Sequence, residues 1–286
     1  MKTVHERALT AMLWAALLLL SDCSKHKSPD PEPQPAPDES VSKSGSLIRE
    51  IYWQTFDYKA TISYRADSSI DHIRYTGANG HNELKTHEYD GKILSGINLA
   101  SSLWKKMYDY DDKGRLKMIQ LVKKNAGPLD NAQKLVFLYD DNDIVQKLER
   151  YRVTPAGTRM DVVHHYEYDK AGELTRIRTE QADGYQTFTR LKGYSPKFDH
   201  DPWLFIEDFT NPDYAVYNYP VLNAMNGRLP LQITYEVPGK AGSLKIERIT
   251  TQDFQVDDKK VQRLKVTVRY PEFPNTSSDS EISFKY

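Results

Sequence analysis

One cysteine in 286 residues, Cys23, leaves no partner for a disulfide within the chain, so no covalent staple holds the fold. Long apolar runs are missing too. The run Ala8 to Leu20 has 13 residues, too few to span a bilayer as a helix. The chain also lacks an excess of charge of either sign. Its 39 Lys and Arg and 40 Asp and Glu leave a net charge of −1, which gives no long-range field for nucleic acid. Mean hydropathy is −0.68. The sequence holds no G-x-S-x-G, no P-loop, no H-E-x-x-H and no G-x-G-x-x-G, so the familiar short motifs for hydrolysis, nucleotide binding and zinc are absent. No catalytic residue, metal site or cofactor is expected on these grounds.

What the sequence does have is a repeat. Tyr108 to Ile119 reads Y-x-Y-D-x-x-G-x-L-x-x-I, with Tyr110, Asp111, Gly114, Leu116 and Ile119 in the named places. Tyr139, Asp140, Ile144 and Leu148 repeat it, and Tyr168, Asp169, Gly172, Leu174 and Ile177 repeat it again. Tyr110, Tyr139 and Tyr168 are each 29 residues apart, a regular period. Aromatic residues alternating with polar ones suit a half-buried strand. Asp bonds the backbone two residues on, and Gly takes a positive φ without steric cost, so the centre of each copy is a tight turn. Each copy therefore predicts strand, turn, strand. Weaker copies lie at Tyr64, at Tyr89 with Asp90 and Gly91, and at Val256 with Asp257. Tyrosine, at 19 residues, is abundant and favours strands.

The N-terminus reads as an address. Lys2 and Arg7 precede the apolar run, in the manner of a secretory signal. Leu20, Ser21, Asp22 and Cys23 resemble a lipobox, in which a peptidase cuts before a Cys that becomes lipidated. Asp22 departs from the Gly, Ala or Ser usual there. Acyl chains at about 0.8 kcal/mol per buried CH₂ would hold Cys23 to a membrane. Pro29, Pro31, Pro33, Pro35 and Pro37 alternate with polar residues and Ala, so 23–46 reads as an extended linker. The domain plan is a signal peptide over 1–22, lipidated Cys and linker over 23–46, and one β-domain over 47–286.

The pattern predicts about eleven strands from Lys59 to Leu191, joined by short turns into an antiparallel meander. Gly193 to Pro230 interrupts it. Asn211 and Pro212 mark a helix start, Pro220 a break and Gly227 a stop, so short helices are expected over 211–227. This segment is rich in large apolar residues and is expected to fold back as a cover, burying Trp203. Hairpins resume at Leu231. A membrane-spanning barrel is disfavoured, because in Leu174 to Glu180 both faces carry polar side chains. Strict alternation there puts Leu174, Arg176, Arg178 and Glu180 on one face and Thr175, Ile177 and Thr179 on the other.

The Tyr-Asp repeats are similar to the YD repeats of large bacterial shell and wall-associated proteins. With the lipoprotein leader, the insertion begun at Asn211 and Pro212 and the restart at Leu229 and Pro230, residues 50 to 286 resemble a family of lipoproteins of gut Gram-negative bacteria. That family is a domain of unknown function with a porin-like fold and no assigned catalytic residues. The resemblance implies an all-β meander that closes as a soluble porin-like or open barrel, or a large twisted sheet.

Few residues point to chemistry. Adjacent His164 and His165 would face opposite sides of a strand and share no metal easily. Asp199, His200 and Asp201 read as ordinary loop polarity. Asp140 to Asp143 read as a turn, since they lack the Gly and distal Glu of a calcium loop. Exposed aromatics are the sharper candidates, because sugars stack on Tyr and Trp. Trp104, Trp203, Tyr214 and Tyr217 are the proposed ligand-binding positions, against the plainer role of filling a β core. The expected function is a non-catalytic, lipid-anchored envelope protein at the outer membrane, with a binding or scaffold surface. Its partners would be the membrane through Cys23 and a glycan or envelope protein, with no nucleic acid. A glycan-binding lipoprotein and a glycoside-acting enzyme are the alternatives.

Overall fold

The computed structural model describes residues 47–124, 133–197 and 228–286. Cys23, the 23–46 linker and the helical pieces expected over 211–227 lie outside them, as do Trp203, Tyr214 and Tyr217. The described part is all β. In chain order the strands are β1 (Glu50–Trp53), β2 (Tyr58–Tyr64), β3 (Ile70–Gly77), β4 (Asn82–Asp90), β5 (Ile93–Leu99), β6 (Trp104–Tyr110), β7 (Leu116–Lys123), β8 (Gln133–Tyr139), β9 (Val145–Thr154), β10 (Gly157–Tyr168), β11 (Leu174–Gln181), β12 (Gln186–Tyr194), β13 (Pro230–Pro238), β14 (Leu244–Asp257), β15 (Lys260–Arg269) and β16 (Ser277–Lys285). Each pairs antiparallel with the next, and β1 pairs with β16, with Ile51 opposite Phe284, so the sheet closes as a barrel. The eleven strands expected between Lys59 and Leu191 are β2 to β12. Closure settles the choice between barrel and twisted sheet, and among the described strands it leaves none at an open edge.

The Tyr-Asp repeat builds the turns. In each strong copy the Asp backbone and side chain both work. Asp111 Oδ1 accepts the N–H groups of Lys113 at 3.0 Å and Arg115 at 2.9 Å. Asp140 does the same for Asn142 and Ile144, and Asp169 for Ala171 and Glu173. Gly114 and Gly172 hold positive φ at the turn, and Asp143 takes that place in the middle copy with φ 63°. The acidic run Asp140 to Asp143 is thus turn chemistry.

The Tyr has a different task. Its hydroxyl donates to a backbone carbonyl of the preceding hairpin. Tyr64 reaches Ile48, Tyr89 reaches Ile70, Tyr110 reaches Leu94, Tyr139 reaches Leu116 and Tyr168 reaches Val145, at 2.6–2.9 Å. Tyr194 reaches Leu174, and Tyr286 reaches Val261. Each acceptor is the first or second residue of the second strand of its own hairpin or, for Ile48, precedes β1. The repeat therefore latches every such hairpin to its neighbour around the barrel end. Val256 stands in the equivalent place of the β14–β15 hairpin and has no hydroxyl to donate. Cations cover several rings: Arg115 lies 4.5 Å from the Tyr139 centroid and Arg65 4.6 Å from that of Tyr89. Burial pushes the hydroxyls of Tyr168 and Tyr194 well above the ordinary tyrosine range, so they stay protonated donors.

The core sits at the same end. Ile73, Ile97, Leu148, Leu174, Ile177, Val261 and Leu264 are at most 1% exposed and belong to one buried apolar cluster. The motif places its Leu and Ile there through a β-bulge. Tyr168 faces Leu174 and Glu167 faces Arg176, so Thr175 is the extra residue. This corrects strict alternation along β11. Leu174 shares the inner face with Ile177 and Thr179, while Arg176, Arg178 and Glu180 face outward.

The insertion is shorter than expected from the sequence. Strand β12 runs through Gly193 to Tyr194, and β13 begins at Pro230. Its two ends are pinched together: Ser195 N–H donates to the Leu229 carbonyl at 2.9 Å, and Leu229 N–H to Ser195 Oγ at 3.1 Å. The insertion therefore leaves the barrel at the end that carries the Tyr-Asp turns.

Candidate functional site

Two walls of one sheet divide the side chains, and they differ in chemistry. The outer wall carries ion pairs across neighbouring strands. Glu50 on β1 meets Lys59 on β2 and Lys285 on β16, and these lysines lower its pKa. Glu88 meets Lys105, Arg263 meets Glu281, Lys265 meets Asp279, and Arg190 meets Glu236. Arg263 and Lys265 are about half exposed. Hydrocarbon around this wall would cost about 2–4 kcal/mol for each Arg or Lys near the midplane. Where these pairs are exposed, the outer wall is a polar surface.

The inner wall changes along the barrel. Counting back by twos from Tyr108 on β6 gives Lys106 and then Trp104 on the same face. On β7 the series from Ile119 runs Leu121, Lys123. On β9 it runs from Leu148 to Arg150 and Arg152. Register confirms the rows: Trp104 faces Lys123, Lys106 faces Leu121, Leu121 faces Gln133, and Gln133 faces Arg152. Beyond the apolar layer the inner wall is thus polar, and its charged groups are mostly basic. Lys85, Arg159 and Arg248 join Lys106, Lys123, Arg150 and Arg152. Glu83, opposite Tyr75, and Asp161, at the β9–β10 bulge, are carboxylates on this wall. A chain with almost no net charge has sorted its charges, and the sorting is a property of the barrel.

Asp161 is the bulged residue between Met160 and Val162. It holds Arg150 at 2.9 Å and Arg152 at 3.5 Å. Beside them His164 is buried, and its Nδ1 shares a 2.8 Å hydrogen bond with Thr179 Oγ1 across the β10–β11 ladder. His165 faces outward, as the adjacent positions require. Burial first, then Arg150 and His165, push the His164 pKa down to about 4, and Asp161 only partly opposes this. The imidazole is therefore neutral at pH 7 in the native state. The unfolded chain takes its proton near pH 6.5, above the folded value, so stability is complete above that pH and is lost as pH falls towards 4. Between pH 7 and pH 5 the loss should be about 2 kcal/mol. Urea unfolding at both values would measure it, and His164→Asn should flatten the dependence. An unchanged slope in the variant would assign the loss to other groups.

Aromatic side chains occupy a separate sector. Trp53 packs at 5.5 Å on Tyr58, and Tyr58 stacks on Tyr75 at 5.6 Å. Gly77, opposite Tyr58, leaves room for that ring, since a Cβ there would lie 2.8 Å from Tyr58 Cδ2. Buried Lys85 donates to Tyr75 Oη at 2.6 Å. Trp53 and Tyr58 pack against the core cluster, the plainer of the two roles weighed for the aromatics. Trp104 is different: it is half-buried, on the inner wall among Lys106 and Lys123, and outside the core cluster. Of the aromatic candidates named from the sequence, it is the one among the described residues, and its setting is polar. Sequence reasoning missed Lys106 and Lys123 as neighbours of Trp104, and Arg150, Arg152 and His164 as residues of the same wall three and four strands away. The signal was the alternation itself, counted from each repeat Tyr.

No family model matches this sequence, and no curated protein matches it. Solved structures do. A porin-like protein from Bacteroides vulgatus ATCC 8482 superposes with a TM-score of 0.55 at 14% identity, over 84% of this chain and 98% of that one. A porin-like protein from Bacteroides uniformis ATCC 8492 gives 0.54 at 14% identity, over 85% and 98%. The fold is therefore that of a porin-like closed antiparallel barrel. At this identity the likeness speaks for the fold alone.

Proposed function

We propose that the chain is a non-catalytic, lipid-anchored protein of the cell envelope whose barrel stands in water and presents a binding or scaffold surface. The observation that carries this reading is the outer wall, laced with exposed ion pairs where a bilayer-spanning barrel needs an apolar band. A barrel of this surface reaches a membrane through a tether. Cys23 after its apolar run, followed by the Pro-rich linker, supplies one at the outer membrane. Cells fed a clickable fatty acid should label the wild type and leave Cys23→Ser unlabelled, and the variant should move to the soluble fraction. Equal labelling of both would reject the anchor. Wild-type protein that resists carbonate extraction without any label would reject the water-facing barrel.

A second reading, glycan binding, is favoured by Trp104, which is half-buried on the inner wall with basic neighbours and outside the core.

A further inference from the structure

We propose that the inner wall at the end of the barrel away from the Tyr-Asp turns is a binding site for an acidic oligosaccharide, with Trp104 as the stacking surface and Lys106, Lys123, Arg152 and Arg159 as the partners of its carboxylates or sulfates. The proposal rests on the glycan-binding reading and specifies the charge of the ligand.

Three observations support it. The first is adjacency. Trp104 faces Lys123, and the row Lys106, Leu121, Gln133, Arg152 runs on to Arg159 through consecutive strand pairs, so the groups form one patch on one face. The second is an electrostatic cost. Arg152 and Arg159 are directly opposite each other, an arrangement of like charges that weakens an antiparallel pair. Asp161 offsets only part of it, because the same carboxylate also serves Arg150. On the outer wall the comparable pair, Arg176 opposite Arg190, has a separate carboxylate for each arginine, Glu167 and Glu236. The inner pair thus carries a charge that an anion would offset. The third is access. Lys123 and Arg152 are exposed, with the Arg152 side chain at 62%, so solvent and a solute reach this part of the wall. A planar indole beside several cations suits a sugar that offers both an apolar ring face and acidic groups. A bare inorganic anion would have no use for the indole.

Calorimetric titration of the full-length protein would use an oligogalacturonate, a neutral oligogalactoside of equal length and inorganic phosphate, each at low and physiological salt. The acidic oligosaccharide should bind, more weakly at the higher salt. Lys123→Glu and Arg152→Glu should each weaken it by about tenfold or more. Trp104→Ala should weaken it several-fold with little change in salt dependence. Lys134→Glu, on the outer face of β8, makes the same change in net charge and should have no effect. Unchanged thermal melting would show that the variants fold.

Four results would overturn the proposal. One is no binding of the oligogalacturonate. Another is equal binding of the neutral oligosaccharide, which would keep the glycan reading while removing the acidic ligand. A third is a loss from Lys134→Glu as large as that from Lys123→Glu. The last is displacement by phosphate with no effect of Trp104→Ala, which would leave a simple oxyanion site.

Discussion

Leu148→Ala should lower the free energy of unfolding by about 2–5 kcal/mol, the usual range for truncating a buried leucine. Leu148 is fully buried, lies in the apolar cluster at the turn end, and faces Phe137 across the β8–β9 pair. The loss has two parts, the transfer free energy of the deleted carbons and the cavity left where closed neighbouring strands limit collapse. Met107 is the control. It sits on the outer face of β6 at 45% exposure, and Met107→Ala should stay within about 0.5 kcal/mol of the wild type. Urea unfolding of both variants checks the pair. Losses of similar size would mean that the apolar layer is not where the stability resides.

The double variant Tyr139→Phe, Tyr168→Phe should lose about 2–4 kcal/mol, although each ring stays in place. Each change removes a hydroxyl that donates at 2.7 Å to a carbonyl of the preceding hairpin, Leu116 for Tyr139 and Val145 for Tyr168. A hydrogen bond of this kind contributes about 1 kcal/mol net, and a carbonyl left without its donor adds to the loss. The two latches share the β8–β9 hairpin, because Tyr139 ends β8 and Val145 opens β9. A loss in the double variant larger than the sum of the singles would show that the hairpins tighten together. A double-variant loss under about 0.5 kcal/mol would mean that the tyrosines act through their rings alone. The vacant position in the series makes a useful contrast, since Val256→Phe adds a ring there without any hydroxyl.

Much of the fold was legible because local chemistry repeats. Asp, Gly and alternating apolar residues specify a hairpin wherever they occur, and the strand count between Lys59 and Leu191 followed from their spacing. The hydroxyl contacts were not legible, although the tyrosines were plain. Their acceptors lie 16 to 25 residues earlier in the chain, and only the stagger of neighbouring hairpins brings the two together. Alternation along β11 misled for a similar reason, since a bulge moves Leu174 to the other face and no single strand reveals it. Trp104 was picked out as an aromatic, yet nothing in the linear sequence joined it to Arg152, which lies three strands away.

By itself the sequence determined where strands turn, which residues can fill an apolar layer, and a near balance of charge, because each of these depends on residue type and short spacing. The tertiary structure alone decided that the sheet closes, that β1 meets β16, and that the basic side chains of β4, β6, β7, β9, β10 and β14 share one inner wall while carboxylates gather mostly outside. Closure gives each face of the sheet a distinct environment, one turned to the interior and one to the outside. Inside and outside have no meaning for a chain until its first and last strands pair.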